Sequence, residues 1–355
     1  MRVEAALPRP NWSLLPAPQL DGATVEWIGD DGKMIVSSRH RLYTSPDQGQ
    51  TLQLIASLPE PLWKRLVTKM RPLQRLLRAM CYNVIDIGNG LLFVTYGKSV
   101  YSIRSGKVQP IAGLLRPARV LRGACALGAD GAVYFGEYLP NPKRGEVFVY
   151  RWDSSGDRAE VVYAFPAQSI RHIHGIYSNP ADGSLWCLTG DLEHECRIIR
   201  TEDSFRTIDV VGEGDETWRA VSIQFDGKFA YYGMDAEYVR NKIFRLDMRT
   251  GQRDELGEVN GPVYYSAALG NGFVFGVTAE PCPSQTDGCA TLWYVDAEGS
   301  LSKIASWQKD ILPHSLFMPG TIHLSRTPKT NQGFWIHGVG LQGADNLCFR
   351  VAKDE

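Results

Sequence analysis

The chain has 355 residues, 44% hydrophobic and 22% charged, with 35 Gly, 20 Pro and a formal net charge of −1, a balance that fits a globular chain rich in tight turns and excludes disorder, collagen and coiled coil. No run approaches the roughly 18 consecutive apolar residues of a spanning helix, and Met1–Pro8 lacks the apolar core of a secretion signal, so a cytoplasmic chain is expected. Seven scattered Cys without a CxxC pair argue against a disulfide framework or a zinc ribbon; most should be buried thiols, and a local Cys282–Cys289 bridge is disfavoured by the same compartment.

Taken in chain order, one unit recurs: an apolar strand, a Gly or Asp turn, a second strand, a polar loop, a third strand ending in an Asp/Gly turn, and a fourth. The third strands end at 47, 103, 153, 203, 247, 296 and 351, giving spacings of 56, 50, 50, 44, 49 and 55. Seven units of about 50 residues, four strands each, predict an all-β fold: one seven-bladed β-propeller domain over 1–355.

One stretch departs from this pattern between the first and second units. Over about 61–80 the apolar Leu62, Trp63, Leu66, Val67, Met70, Leu73, Leu76, Leu77 and Met80 alternate with six bases and are interrupted by Pro72. The spacing predicts a short basic amphipathic helical insertion. It is suited either to peripheral contact with an anionic membrane or to capping the propeller. Between 61 and 129 twelve Lys/Arg stand against one acid, Asp86, which suggests a face that attracts anions or, more plainly, a solvated basic rim. The acidic remainder argues against nucleic acid as a partner.

Ser45-Pro46-Asp47-Gln48-Gly49-Gln50-Thr51-Leu52 resembles the Asp-box (BNR) repeat of sialidase-like propellers, with traces at 153–156, 201–207 and 296–299. In that family the Asp and Gly close a hairpin and carry no catalytic group. The resemblance implies a propeller whose site uses an Arg triad, a Tyr/Glu nucleophile pair and an Asp acid/base. This chain departs from it in reading as seven blades and in lacking an Arg-Ile-Pro motif. It is also similar to bacterial propellers that carry Gly-Glu-Tyr, Arg-His-Ile-His, Thr-Gly-Asp and Asp-x-Glu in successive blades, here 136–138, 171–174, 189–191 and 235–237. That resemblance implies a place in surface-polysaccharide metabolism.

In a propeller the loop between strands two and three and the connection from strand four to the next blade open on the same face, around the channel mouth, and function gathers in such loops. The candidate catalytic residues there are Glu137, Tyr138, His172, His174, Asp191, Asp235 and Glu237. Arg144, Arg171, Arg219, Arg240, Asn241, Tyr264, Glu280 and Lys309 are candidates for substrate binding. Arginine forks suit a carboxylate or phosphate, so an anionic oligosaccharide or glycolipid is the expected partner. Glu137, Asp191, Asp235 and Glu280 hold equivalent places in consecutive blades and equally suit a structural role accepting backbone N–H groups. His172 and His174, two apart on an extended segment, face one side. With Asp191 or His194 they could hold a divalent metal, or simply hydrogen-bond a ligand.

Three functions are therefore in view. The first is a glycoside hydrolase with Glu137 and Asp235 as paired carboxylates. The second is a polysaccharide lyase, with Tyr138 or His174 removing the proton α to a uronate carboxylate neutralised by Arg or a metal. The third is a non-catalytic propeller that binds glycan or assembles partners.

Overall fold

The computed structural model describes residues 12–326 and 334–353; the Met1–Pro8 stretch lies outside them. Seven four-stranded antiparallel sheets form the blades of a propeller. From strand one on the channel to strand four outside, blade one is Thr24–Ile28, Met34–Ser38, Arg41–Ser45 and Gln53–Ser57. Blades two to six repeat the order from Cys81–Gly88 to Leu301–Gln308. Blade seven takes three strands from the chain end, Thr321–Leu324, Phe334–Val339 and Cys348–Lys353, and its fourth from the start, Trp12–Pro16. This pairing, Leu14 opposite Val351 and Pro16 opposite Phe349, closes the ring by joining the two ends of the chain in one blade. Every third strand expected from the repeat is a third strand in the ring.

The sequence pattern of each strand follows from its place in the blade. Second strands such as Leu91–Tyr96, Leu185–Gly190 and Gly272–Val277 are buried throughout, because a neighbouring blade packs on each face. They therefore read as continuous apolar runs rather than alternating ones. Fourth strands such as Arg253–Glu258 lie at the rim and are half exposed, so charge is tolerated there. Aromatic side chains fill the gaps between blades: Phe93 against Phe135 and Trp152, and Tyr231 against Phe273. All seven cysteines are free thiols, and all but Cys282 are buried.

The Ser45–Thr51 turn closes on itself. Asp47 accepts from the Thr51 amide (2.9 Å) and hydroxyl (2.7 Å), while Ser45 Oγ accepts from the Gly49 amide (2.8 Å). Blade four repeats the network without glycine: Asp203 accepts from the Thr207 amide and hydroxyl, and Thr201 Oγ1 from the Phe205 amide. Phe205 holds φ +71° where Gly49 has +88°, a strained conformation for a bulky residue. Its buried ring lies beside Tyr134 and Tyr163, which holds it there.

The insertion forms two short helices, Leu62–Val67 and Arg71–Leu76. Pro72 lies in the first turn of the second, where a missing N–H costs nothing, so it begins a helix as well as ending one. Arg75, 1% exposed, pairs with Asp310 and donates from Nε to the Phe317 carbonyl (3.1 Å), while Arg71 grips Asp345 at 2.8 and 3.0 Å. These contacts fix the second helix to the connection between blades six and seven and to the loop between the second and third strands of blade seven. Of the twelve bases between 61 and 129, five (Lys64, Arg71, Arg75, Arg116 and Arg122) are held in ion pairs. Much of the basic excess is thus structural.

Candidate functional site at the channel mouth

Blade four supplies the centre of the site. His172 and His174 open its channel strand, His172–Ser178, and both are buried. A register shift between Ile173 and Gly175 accompanies the turn of both imidazoles to the same side. Their Nδ1 atoms lie 3.0 Å from the Leu139 carbonyl and 2.8 Å from the Ala220 carbonyl. A carbonyl only accepts, so each Nδ1 carries the proton and, in the neutral ring, each Nε2 presents a lone pair. Both Nε2 atoms face Asp191 Oδ1, at 3.4 and 3.5 Å.

Asp191 follows Gly190 at the end of the second strand and holds φ +133°, strain of the kind found at functional loops. Gly190 makes room here, because a Cβ would stand 3.0 Å from the His174 ring and 3.1 Å from Arg219 and push both aside. Burial lowers His174, so its ring is neutral at pH 7. Three donor atoms, one from each residue, lie within 4.8 Å of one another. A carboxylate and two imidazole lone pairs pointed together repel unless a cation lies between them. The backbone carbonyls behind the rings supply the outer-shell orientation that metal-binding histidines use. His172, His174 and Asp191 thus fit a divalent first-row cation. His194, an alternative third ligand, is 66% exposed and turns to Glu195 instead.

The neighbouring blades surround this centre. Tyr138 from blade three lies over the pair, with ring centroids 4.2 Å from His172 and 6.4 Å from His174. Burial, then Asp191, Asp235 and Glu280, push its phenol up to about 12. Arg171 donates to Asp191 Oδ2 (2.7 Å) and to the Pro140 carbonyl (2.7 Å), and its remaining N–H groups are partly exposed. Arg219 bridges Asp191 (3.3 Å) and Asp235 (3.2 Å). Tyr264 donates to Glu280, and its phenol is raised well above 10, first by burial and then by Glu280 and Asp235.

Asp235 is poised differently. Desolvation raises its carboxyl to about 7, with Arg219 opposing and the charges of Glu280 and Asp191 adding to the rise. Its folded value thus exceeds the ordinary 3.8, so the folded state binds the extra proton and stability is lost as pH rises between about 4 and 7. Asp235→Asn is expected to be more stable than wild type at pH 8, by about 1–2 kcal/mol, and indistinguishable from it at pH 4. Thermal melts across that range check this, and equal melting points at pH 8 would refute it.

Six expected site residues are placed outside the cluster. Glu137, 1% exposed, accepts from Arg116 (2.5 and 3.1 Å), the Tyr150 hydroxyl and the Phe148 amide, so its carboxylate anchors a loop and is not free to act as an acid or nucleophile. Arg144 pairs with buried Glu195. Asn241 is buried and ties the Ala236 backbone to Ser284. Glu237 gives its amide to Glu216, Arg240 is exposed beside Glu258, and Lys309 binds Asp310 and the Leu312 carbonyl. The sequence reading missed Glu216, which accepts the amides of Glu237, Tyr238 and Val239 and lies 3.7 Å from Arg219. Its place in Asp215–Trp218, just before Arg219, was the available signal. It also missed His323 and His337, cross-strand partners on blade seven whose Nδ1 atoms are buried without a hydrogen bond.

Fold and site together define a seven-bladed propeller with a buried, convergent polar cluster at one channel mouth. No family model matches the chain, and no curated protein matches it. Among solved structures it is similar to the WD40 β-propeller domain of Doa1, with TM-score 0.58 and 15% identity over 97% of this chain and 96% of that one. An oligogalacturonate lyase in complex with manganese gives TM-score 0.58 and 10% identity, over 97% and 91%. A chain of the mitotic checkpoint complex gives 0.57 and 12%, over 99% and 98%. At these identities the likeness is one of fold.

Proposed function

We propose that this propeller is a metal-assisted lyase acting on a uronate-containing oligosaccharide. The observation that carries this reading is the convergence of His172 Nε2, His174 Nε2 and Asp191 Oδ1, with both Nδ1 protons committed to backbone carbonyls. An oligogalacturonate lyase that shares the fold is in complex with manganese, which agrees with this assignment.

Bound there, a divalent cation would supply positive charge to the sugar carboxylate and lower the cost of the enolate that forms at its α-carbon. Arg171, with free N–H groups at the mouth, orients the same carboxylate. Asp235, with an affinity for protons near neutrality, removes the α-proton when ionised. The C–H electron pair becomes the new C=C bond as the glycosidic C–O bond breaks. Tyr138, held protonated, gives its proton to the departing oxygen. His172 and His174 are then ligands and not bases, which changes the role the sequence suggested for His174.

A hydrolase is the second reading, favoured by the contact of Tyr264 with Glu280 and the nearness of Asp235. In it Asp235 and Glu280, not Glu137, would be the paired carboxylates. The raised Tyr264 phenol is a poor nucleophile, which weighs for the lyase.

Incubation with uronate-containing oligosaccharides decides between them. The lyase yields an unsaturated uronate absorbing in the near ultraviolet, lost on chelation and in Asp235→Asn. New reducing ends without that absorbance would establish the hydrolase. Binding without either product would make this a recognition propeller.

A further inference from the structure

The exposed apolar side chains are distributed unevenly. Among the described residues sixteen large hydrophobic side chains are exposed, and eleven of them lie in the loops and connections of the face that holds the site. Of the other five, one is Leu52 in a hairpin turn of the opposite face, and four lie on the outer fourth strands of blades. Five separate segments contribute to the first set: the insertion at 62–76, the connections around Leu115 and Ile311, and the loops of blades four and five. Ile311 is 93% exposed, and Leu62, Trp63, Leu66 and Met70 of the insertion are exposed by 54–71%.

These residues are exposed despite a helix that could have turned inward. The second helix faces the propeller with Arg75 and Gln74, both buried, and the first has no buried residue. The fully buried residues of the two helices are polar, Val67 and Leu73 are only half-buried, and Leu62, Trp63, Leu66 and Leu76 face water. That inverts the usual arrangement of a surface helix. Charge around the insertion has one sign, whereas on the loops of blades four and five Glu193 and Glu237 are exposed beside Leu192 and Tyr238. Arg65 and Lys69 are exposed on the first helix and the turn after it, and no acid occurs between 61 and 80. The nearby acids are neutralised: Glu60 by Lys64, Asp310 by Arg75 and Lys309, and Asp345 by Arg71. Arg39 and Arg41 extend the basic area. Together with Arg65 and Lys64 they add to the effect of burial in lowering His40.

We infer that the channel-mouth face docks on an anionic lipid bilayer, with Trp63, Leu66, Met70 and Ile311 in the interface and Arg65, Lys69 and Arg41 against the headgroups. Apolar groups spread over five segments of one face suit a plane, whereas a peptide or single domain would meet a compact groove. Tryptophan and aliphatic residues bordered by bases are the composition of interfacial segments. The docking stands independently of the lyase reading. If both hold, the site opens toward the bilayer and a lipid-linked glycan reaches it directly.

The test is sedimentation of the full chain with vesicles of phosphatidylcholine, with and without phosphatidylglycerol. Binding is expected only with the anionic vesicles and should fall steeply with salt. Trp63→Ser/Leu66→Ser and Arg65→Glu/Lys69→Glu should each weaken it at least about tenfold. Both pairs are exposed, so unchanged thermal melts would show the fold intact. Failure of wild type to sediment with anionic vesicles, or binding by both variants as strong as that of wild type, overturns the inference. Lipid-independent self-association lost in Trp63→Ser/Leu66→Ser would assign the face to a second copy and overturn it too.

Discussion

His174→Ala is expected to lower the affinity for Mn2+ or Zn2+ by at least about a hundredfold, measured by calorimetric titration of the purified protein freed of metal. Removing an outer partner of a ligand already costs 10–100-fold, and here an inner donor is lost. His172→Ala and Asp191→Asn should behave alike, because each supplies one of the three convergent atoms. His194→Ala should leave affinity unchanged, since that ring stands outside the cluster and is exposed. The metal should also raise the melting point of the wild-type protein but not of His174→Ala, because a ligand that binds only the folded state stabilises it by mass action. If neither titration nor melting responds to metal, the space between the imidazoles and Asp191 holds a proton, and the metal-assisted lyase is excluded.

The largest stability effect is expected inside the channel. Glu26 on the first strand of blade one and Arg122 on the connection between blades two and three form a bidentate pair at 2.6 and 3.0 Å, both buried. Ser37 donates to the same carboxylate at 2.5 Å, and Arg122 also donates to the Cys81 carbonyl at 2.7 Å. Glu26→Leu strands the guanidinium without its counter-charge and should cost about 3–5 kcal/mol. Glu26→Leu/Arg122→Met removes both charges and should recover most of that loss, since well-packed apolar replacements of buried pairs are often nearly neutral. Guanidinium chloride unfolding of wild type, both singles and the double measures the coupling. Equal destabilisation by single and double variants would show that the hydroxyl and carbonyl partners, rather than the charge pair, carry the energy.

Legibility differed between fold and site for a physical reason. A blade strand's neighbours are fixed by its rank within the blade, so burial imposes a pattern that recurs with the period of the chain. The apolar second strands and the Asp turns at 47 and 203 state the fold locally. The site has no such local signature. Glu137 and Asp235 hold equivalent places in their blades. One meets Arg116 and Tyr150 and becomes an anchor, whereas the other meets little but Arg219 and neighbouring acids and stays near neutrality. The difference lies in residues distant along the chain, so spacing could not separate them.

The sequence by itself determined the seven-bladed all-β architecture, the helical insertion near 61–80 and the face on which polar loops gather, because each follows from periodicity and from the up-and-down path of four strands. Tertiary structure alone decided which of those loop residues meet: that His172, His174 and Asp191 converge, that Arg219 ties Asp191 to Asp235, and that Arg144, Asn241 and Lys309 are spent on structure. It also decided that the insertion buries Gln74 and Arg75 and leaves Leu62, Trp63, Leu66 and Leu76 to solvent. Ion pairing and desolvation depend on groups brought together from different blades within a few ångströms, and no local pattern along the chain encodes that distance.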